Sequence, residues 1–361
     1  MLKSVLLYVG CYDHQNQQPY PEFTVDDINI LTNIGITEFV ITDGGQGYNA
    51  YIDDNGKLNH CITYADVDAL DISVTERKLE YWHERFKNDY RERIDRVSDE
   101  VSFNMFRQKS LNCAKTVWQA NPNAKVWFTF PGIEHYGLAE KFITPFKTEL
   151  VDKFKAALSS EEWAKVAGFY WSTECVVNDY TDFDYDDMEY NSTFNNPIVK
   201  AIKACSDHVR SYGKKMLWIP YYRHGDWSQG GKRLGYIANR TDFFDYMVLQ
   251  PTYYFNEILE ANIEAVRKGV EQQAVCDFYG QIFGGEKISK TMIGPEMEIE
   301  GNRAWKSIYE PGNEVRYMAY VNAYKSFVDK VPFVYYAGDR NAVMDPKIID
   351  FIDKFYNKKH S

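Results

Sequence analysis

Glutamates stand at two places in the sequence where a short apolar segment ends. Glu174 follows Gly168-Phe169-Tyr170-Trp171-Ser172-Thr173, and Glu296 and Glu298 lie two residues apart in Gly294-Pro295-Glu296-Met297-Glu298. Two carboxyl groups that face each other can work together, one protonated as a general acid and the other ionised as a base or nucleophile. Hydrolysis of a glycosidic bond needs such a pair. We therefore take Glu174, Glu296 and Glu298 as the candidate catalytic residues.

These glutamates belong to an alternation of short apolar segments and longer helical patterns. The apolar segments are rich in Val, Ile, Phe, Tyr and Trp and are bounded by Gly, Pro, Asn or Asp, as buried strands are. Eight strands are predicted: Val5–Cys11, Glu38–Thr42, Lys125–Phe130, Val166–Ser172, Lys215–Tyr221, Tyr246–Pro251, Thr291–Ile299 and Phe333–Ala337. Strands that alternate with helices predict an α/β protein with a closed parallel sheet, the (β/α)8 or TIM barrel.

The connection between the second and third predicted strands is unusually long. Residues 44–123 contain a turn, then a helical stripe from Leu79 to Val97, and then a second stripe from Phe106 to Val117. This pattern predicts a helical insertion into the barrel. The sequence shows no internal repeat and no linker, so residues 1–361 are interpreted as a single domain.

Strand phase predicts which side chains enter the barrel, because successive side chains of a strand point to opposite faces. In the fourth strand Tyr170, Ser172 and Glu174 share the inner face, while Ala167, Phe169 and Trp171 share the outer face. In the seventh strand Glu296 and Glu298 point inward, while Ile293, Met297 and Ile299 face the helices. Active sites of such barrels lie at the C-terminal ends of the strands.

The two strands give each glutamate an expected role. We assign Glu174 as the general acid and Glu298 as the nucleophile or base, with Glu296 one layer deeper or exchanging roles with Glu298. The alternative is structural, because these glutamates could form buried ion pairs with Arg223 or Arg340. Retention and inversion of the anomeric centre are both compatible with the pattern.

Polar and aromatic side chains also follow nearly all of the remaining predicted strands. Flat rings suit the faces of sugars, and the aromatic content of 16% is enough to line a cleft as well as a core. Imidazole, guanidinium and carboxylate groups suit sugar hydroxyls. The candidate substrate-binding residues are Asp13, Asp43, His135, Tyr222, Arg223, His224, Trp227, Tyr253, Tyr254 and Asp339.

Charge and composition disfavour several other functions. The formal net charge of −11 disfavours nucleic acid as a partner. The six cysteines form no CxxC and the seven histidines form no HxH or HExxH, so no metal site and no cofactor are predicted. No apolar run reaches the length of a membrane span, which predicts a cytoplasmic protein, or a secreted or periplasmic one if a leader has been removed. The oligomeric state stays open.

Several of the segments resemble a known family. Gly168–Glu174, Leu217–Tyr222, Leu249–Tyr253 and Gly294–Glu298 are similar to motifs of family 4855 of bacterial domains of unknown function. This resemblance spans most of the chain and implies a TIM barrel related to glycoside hydrolases, with glutamates after strands four and seven. The expected partner is a carbohydrate, and the expected activity is glycoside hydrolysis. A carbohydrate-binding barrel without catalysis, or cleavage of another bond by the same carboxylates, are the alternatives.

Overall fold

The barrel and most of its helices are defined in the computed structural model. It describes residues 2–10, 12–13, 18–19, 21–43, 50–52, 58–60, 101–130, 144–172, 174, 197–222, 230–254, 260–299 and 313–359.

Eight parallel strands form a closed barrel, as the sequence predicts. Each strand pairs with the next in sequence, and the eighth pairs with the first. The strands are β1 (Lys3–Val9), β2 (Glu38–Asp43), β3 (Lys125–Phe130), β4 (Val166–Trp171), β5 (Lys215–Trp218), β6 (Tyr246–Leu249), β7 (Met292–Glu298) and β8 (Phe333–Tyr336). All eight predicted strands are confirmed, with boundaries that differ by up to three residues.

Helices surround the barrel and begin at residues that cap them. The described helices are α1 (Val25–Asn33), α2 (Val101–Ala120), α3 (Thr144–Ala157), α4 (Ser160–Lys165), α5 (Pro197–Ser211), α6 (Gly230–Arg240), α7 (Glu260–Gln272), α8 (Asn313–Tyr324), α9 (Arg340–Val343) and α10 (Pro346–Tyr356). Thr24 forms a capping box with Asp27 at the start of α1. Asp345 caps α10, where Pro346 supplies the fixed backbone angle of the first turn. None of the described helices is long and apolar enough to cross a lipid bilayer.

The helix α2 lies against the sheet rather than apart from it. Leu111, Ala114 and Val117 are buried in the core between the strands and the helices. Because α2 packs on α1 and on β1, β2 and β3, it is the barrel helix that joins β2 to β3. The insertion proper therefore precedes α2. The helical stripe predicted from Leu79 to Val97 lies outside the described residues.

The core has two layers, one outside the sheet and one inside the barrel. The outer layer includes Phe169 and Trp171, as strand phase predicts. The inner layer includes Trp127 and Tyr170. Ala167 packs on the inner layer, and its predicted outward orientation is wrong, because the pairing of β3 with β4 shifts register between Val126 and Trp127.

Candidate active site

The strand β7 carries two glutamates into the barrel. Glu296 lies opposite Val334 of β8 and Glu298 lies opposite Tyr336, and Val334 belongs to the inner core layer. Met297, between the two glutamates, packs in the outer layer. Both glutamates are almost fully buried, with 2% and 1% of their surfaces exposed. Because side chains alternate along the strand, the carboxyl groups of Glu296 and Glu298 both lie inside the barrel.

One oxygen of Glu298 accepts two hydrogen bonds. The backbone N–H of Thr252, which follows β6, donates to Oε2 of Glu298 at 2.7 Å. The hydroxyl of Tyr320, on α8, donates to the same oxygen. Tyr320 in turn accepts a hydrogen bond from the backbone N–H of Tyr254 at 3.0 Å. These bonds fix Oε2 of Glu298 in the wall of the barrel.

Glu174 lies beyond the end of β4 in a more open environment. Its side chain is exposed, in contrast to the two glutamates of β7. Nε2 of Gln250 donates to its Oε1 at 3.1 Å and also to the carbonyl of Ile219 at 2.9 Å. The carbonyl of Glu174 accepts a hydrogen bond from the N–H of Tyr221 at 2.9 Å. Glu174 is thus held by residues that follow β5 and β6.

The three carboxyl groups influence one another's ionisation. Burial raises the pKa of Glu298 to about 8, although the bonds from Tyr320 and Thr252 act in the opposite direction, and the charge of Glu174 raises it too. Burial also raises the pKa of Glu296 well above its usual value, with further contributions from Glu298 and Glu174. With a pKa of about 8 Glu298 keeps its proton at neutral pH, and burial shifts the pKa of Glu296 in the same direction.

Tyrosines surround the buried carboxyl groups. Tyr170 of β4 belongs to the inner layer, and Tyr8 of β1 and Tyr336 of β8 pack on it. The rings of Tyr8 and Tyr336 meet edge to face, with centroids 5.8 Å apart. Burial raises the pKa of the Tyr8 hydroxyl, and the neighbouring Tyr336, Tyr170 and Glu296 raise it further. The Tyr8 hydroxyl therefore stays neutral and can donate a hydrogen bond.

Four of the predicted substrate-binding residues are described in full, and each has a contact within the fold. Tyr222 is buried, and its hydroxyl donates to the carbonyl of Cys276 at 2.7 Å. The rings of Tyr253 and Tyr254 lie in the outer core layer, although their backbone borders the site. Asp339 caps α9 by accepting a hydrogen bond from the N–H of Ala342 at 3.0 Å.

The other predicted residues are described in part or not at all. The backbone of Asp13 forms part of a short strand, Tyr12–Asp13, and that of Asp43 ends β2, but the side chains of both lie outside what the structure describes. The predicted binding residues His135, Arg223, His224 and Trp227 lie outside the described residues. Their roles stay predictions.

Arg340 does not neutralise the glutamates. Its guanidinium binds Asp27 through two hydrogen bonds, from Nε to Oδ2 at 2.7 Å and from Nη2 to Oδ1 at 3.0 Å. The structural alternative of an ion pair between Arg340 and a β7 glutamate is therefore wrong. Among the described residues, no group of three His, Cys, Asp or Glu side chains is arranged to hold a metal ion.

Several residues that contact the glutamates were not predicted from the sequence. Gln250 lies near the end of the predicted strand Tyr246–Pro251 and Thr252 follows that strand, but neither residue type signals a contact with a carboxyl group. Tyr320 is different, because Arg316, Tyr320 and Tyr324 recur at every fourth position of α8 and so share one face. Polar groups on a helix face that is otherwise buried are a signal that could have indicated a role in the site.

The chain as a whole is similar to solved structures of other proteins, at low sequence identity. No family model matches it, and no curated protein matches it. Among solved structures, it is similar to a GH18 chitinase from Pseudoalteromonas aurantia, with a TM-score of 0.44 and 10% identity over 98% of this chain and 100% of that one. It is also similar to a tri-modular GH5 (subfamily 4) endo-beta-1,4-glucanase from Bacillus licheniformis, with a TM-score of 0.45 and 9% identity over 98% of this chain and 59% of that one.

A third solved structure has another activity. The chain is similar to a sugar phosphate isomerase/epimerase from Parabacteroides distasonis, with a TM-score of 0.41 and 12% identity over 92% of this chain and 86% of that one. Glycoside hydrolases with barrel folds are thus among the structural neighbours, at identities of 9–16%. At such values a shared barrel says nothing about a shared substrate.

Proposed function

We propose that this protein is a glycoside hydrolase in which Glu174 and Glu298 are the two working carboxyl groups. The observation that supports this most is the difference between their environments: Glu174 is exposed, and Glu298 is buried with a pKa raised to about 8. A glycosidase needs one protonated and one ionised carboxyl group at the same pH, and unlike environments provide this.

The electrostatics favour a particular assignment of roles. Two hydrogen bonds to the ionised form of Glu298 would favour its charge, but burial outweighs them, so Glu298 keeps its proton at neutral pH. Because Oε2 already accepts two hydrogen bonds, the proton resides on Oε1. Glu298 then acts as the general acid and the exposed Glu174 as the base or nucleophile. This assignment reverses the one expected from sequence.

The rest of the described inner face suits a carbohydrate. The side chains of Tyr8, Tyr170 and Tyr336 lie on this inner face, and the charges of Glu296 and Glu174 both act on the Tyr8 hydroxyl. Hydroxyl and carboxyl groups match the donors and acceptors of a neutral sugar. Glu298 ends β7 at the C-terminal rim of the barrel, whereas Glu296 lies two residues deeper, so Glu298 is the one placed to meet a substrate.

Turnover of a glycan library by the wild type and by Glu174→Gln and Glu298→Gln tests the proposal. Each substitution keeps the shape of the side chain but removes acid–base chemistry. We expect kcat/KM to fall by roughly 10²–10⁴-fold in each variant, measured as released reducing ends. Glu149→Gln is the matched control, because Glu149 is exposed on α3 and pairs only with Lys153 in the described structure; it should keep full turnover.

Added azide separates the two roles. In alanine variants a small external nucleophile restores turnover where the missing carboxylate served as nucleophile or base. We expect the glycosyl azide formed by Glu174→Ala to have the inverted anomeric configuration and any glycosyl azide formed by Glu298→Ala to have the retained one; the opposite result would restore the assignment expected from sequence. Full turnover in Glu298→Gln would refute the proposal. Glycan binding without turnover in the wild type would indicate a carbohydrate-binding barrel.

A further inference from the structure

The loop after β6 presents two backbone N–H groups to a single carboxyl oxygen. The N–H of Thr252 reaches Oε2 of Glu298 directly, at 2.7 Å. The N–H of Tyr254 reaches the same oxygen through the hydroxyl of Tyr320, which it contacts at 3.0 Å. Residues 252 and 254 therefore act together on Glu298, one directly and one through an intervening hydroxyl.

This loop adopts a conformation that its sequence does not favour. Thr252 has a φ of 59°, in the left-handed region, where a β-branched residue is a clear outlier. Its Oγ1 is buried and has no hydrogen-bond partner among the described residues. Both features destabilise the loop. Neighbouring groups must therefore hold Thr252 in the conformation that directs its N–H to Glu298.

Asn262 of α7 holds the peptide group that carries this N–H. Its side chain is fully buried, and Nδ2 donates to the carbonyl of Pro251 at 2.9 Å and to the carbonyl of Tyr222 at 2.9 Å. The carbonyl of Pro251 and the N–H of Thr252 belong to one rigid peptide plane. Asn262 binds one edge of that plane and Glu298 binds the other.

Arg316 of α8 holds the second residue of the pair. Its side chain is buried, and Nη1 donates to the carbonyl of Tyr254 at 2.9 Å. Arg316 lies one helical turn before Tyr320, so the same helix supplies both the hydroxyl that contacts Glu298 and the guanidinium that fixes Tyr254.

We infer that Asn262 and Arg316 are positioning residues: they hold the N–H of Thr252 against Oε2 of Glu298 and the N–H of Tyr254 against the Tyr320 hydroxyl, and so leave Oε1 as the reacting oxygen of Glu298. Both side chains bind backbone carbonyls of the loop and its neighbours, so they act on Glu298 through the backbone. That these two residues influence the pKa of Glu298 follows from the contacts alone. That they influence turnover rests on the proposed function. Hydrogen bonds to the ionised form lower a carboxyl pKa, so loosening them must raise it.

Infrared difference titration of the carboxyl C=O band tests this inference. The band that Glu298→Gln abolishes identifies Glu298. In Asn262→Leu and in Arg316→Met, we expect the midpoint of this band to rise by about one pH unit, which corresponds to the loss of a hydrogen bond to a charged group. In an active enzyme, the alkaline limb of kcat/KM should move in the same direction.

Asn239→Leu is the matched control. Asn239 is as fully buried as Asn262 and also donates to two carbonyls, those of Val275 at 2.9 Å and Phe283 at 3.0 Å, but it lies on α6 beside another loop. This variant should lose comparable stability without moving the Glu298 midpoint. If Asn262→Leu does not fold, Arg316→Met decides the question.

The outcomes separate the inference from the proposed function. An unchanged midpoint in the folded variants would overturn the positioning role, whether or not the wild type turns over a glycan. A midpoint that moves equally in Asn239→Leu would also overturn it, because the shift would then reflect general loosening of the fold. A midpoint that rises in Asn262→Leu and Arg316→Met, together with a wild type that lacks glycosidase activity, would support the inference and reject the proposed function.

Discussion

Glu298 and Glu296 show how a buried carboxyl group responds to its local donors. A hydrogen bond to a charged group contributes roughly 1.5–3 kcal/mol, and Glu298 accepts two, yet its pKa still rises to about 8. Burial is therefore the larger effect at this residue. Oε1 of Glu296 has no hydrogen-bond partner in the described part of the chain, and burial and both neighbouring glutamates raise its pKa.

The raised pKa of Glu298 makes stability depend on pH. Between about pH 4.5 and about pH 8 the folded protein keeps a proton on Glu298 that the unfolded chain releases. The free energy of unfolding should therefore be highest below pH 4.5, as far as this group is concerned, and fall by roughly 1.4 kcal/mol per pH unit up to about pH 8. In Glu298→Gln this contribution disappears and the slope becomes shallower. Urea denaturation at a series of pH values measures the slope.

Surface glutamates should not change this slope. Glu149→Gln, on the exposed face of α3, serves as the control. Equal slopes in Glu298→Gln and the wild type would show that Glu298 is not protonated in the folded protein between pH 4.5 and 8. That result would also remove the basis for its assignment as the general acid.

At the scale of elements, the carboxylate of one residue, Asp27, connects the first helix of the barrel to the segment that follows its last strand. Oδ2 of Asp27, in the first turn of α1, accepts the N–H of Thr24 at 2.7 Å and Nε of Arg340 at 2.7 Å. Arg340 begins α9, directly after β8. A helix cap and a two-point ion pair thus share one side chain, which joins the segments that follow β1 and β8.

Asp27→Ala should destabilise the fold by about 2–4 kcal/mol. The substitution removes the capping box and leaves the half-buried guanidinium of Arg340 without its partner, and each of these changes is unfavourable. The free energy of unfolding from urea denaturation measures the loss. Asp26→Ala is the control: Asp26 is exposed in the same turn and should cost less than about 1 kcal/mol. Equal losses in the two variants would contradict the role given to Asp27.

The strands were easier to predict from the sequence than the helices, because the strands are buried on both sides. Strands of a parallel barrel are covered on both sides, so they appear as continuous apolar segments, and all eight were found. Ala167 was placed on the wrong face because a shift in register depends on how two strands pair, which a single strand does not reveal. The stripe of α2 was recognised, but its place on the barrel became visible only with its contacts.

In the candidate site, the positions of the glutamates could be predicted from the sequence, but the residues that hydrogen-bond to them could not. Strand phase places Glu296 and Glu298 inside the barrel because they lie on a regular strand. The contacts of Thr252 and Tyr320 with Glu298 join residues 46 and 22 positions apart, and the first depends on an unfavourable loop conformation. Such contacts follow from the packing of helices on the barrel rather than from any local pattern.

At the scale of the whole molecule, glycines allow the two strands that carry the glutamates to lie close to their neighbours. A Cβ added at Gly168 of β4 would lie 2.0 Å from the carbonyl oxygen of Lys215, where β5 begins. A Cβ added at Gly294 of β7 would lie 1.8 Å from the carbonyl oxygen of Pro332, just before β8. Both distances are far shorter than van der Waals contact. Closure of the barrel at β4–β5 and at β7–β8 therefore requires a residue without a side chain.

Gly294→Ala should open the barrel beside the proposed acid without altering any carboxyl group. The added methyl group meets backbone, which cannot rotate away, so β7 and β8 must separate. We expect a loss of about 3 kcal/mol or more in the free energy of unfolding, at the upper end for overpacking. Gly213→Ala meets nothing within 4 Å and should cost only about 1 kcal/mol, because its φ is 68°. Because β7 pairs Glu298 with Tyr336 of β8, the Gly294 variant should also lose turnover, measured on the same glycan. A loss no larger than that of Gly213→Ala would show that the barrel closes without this close approach.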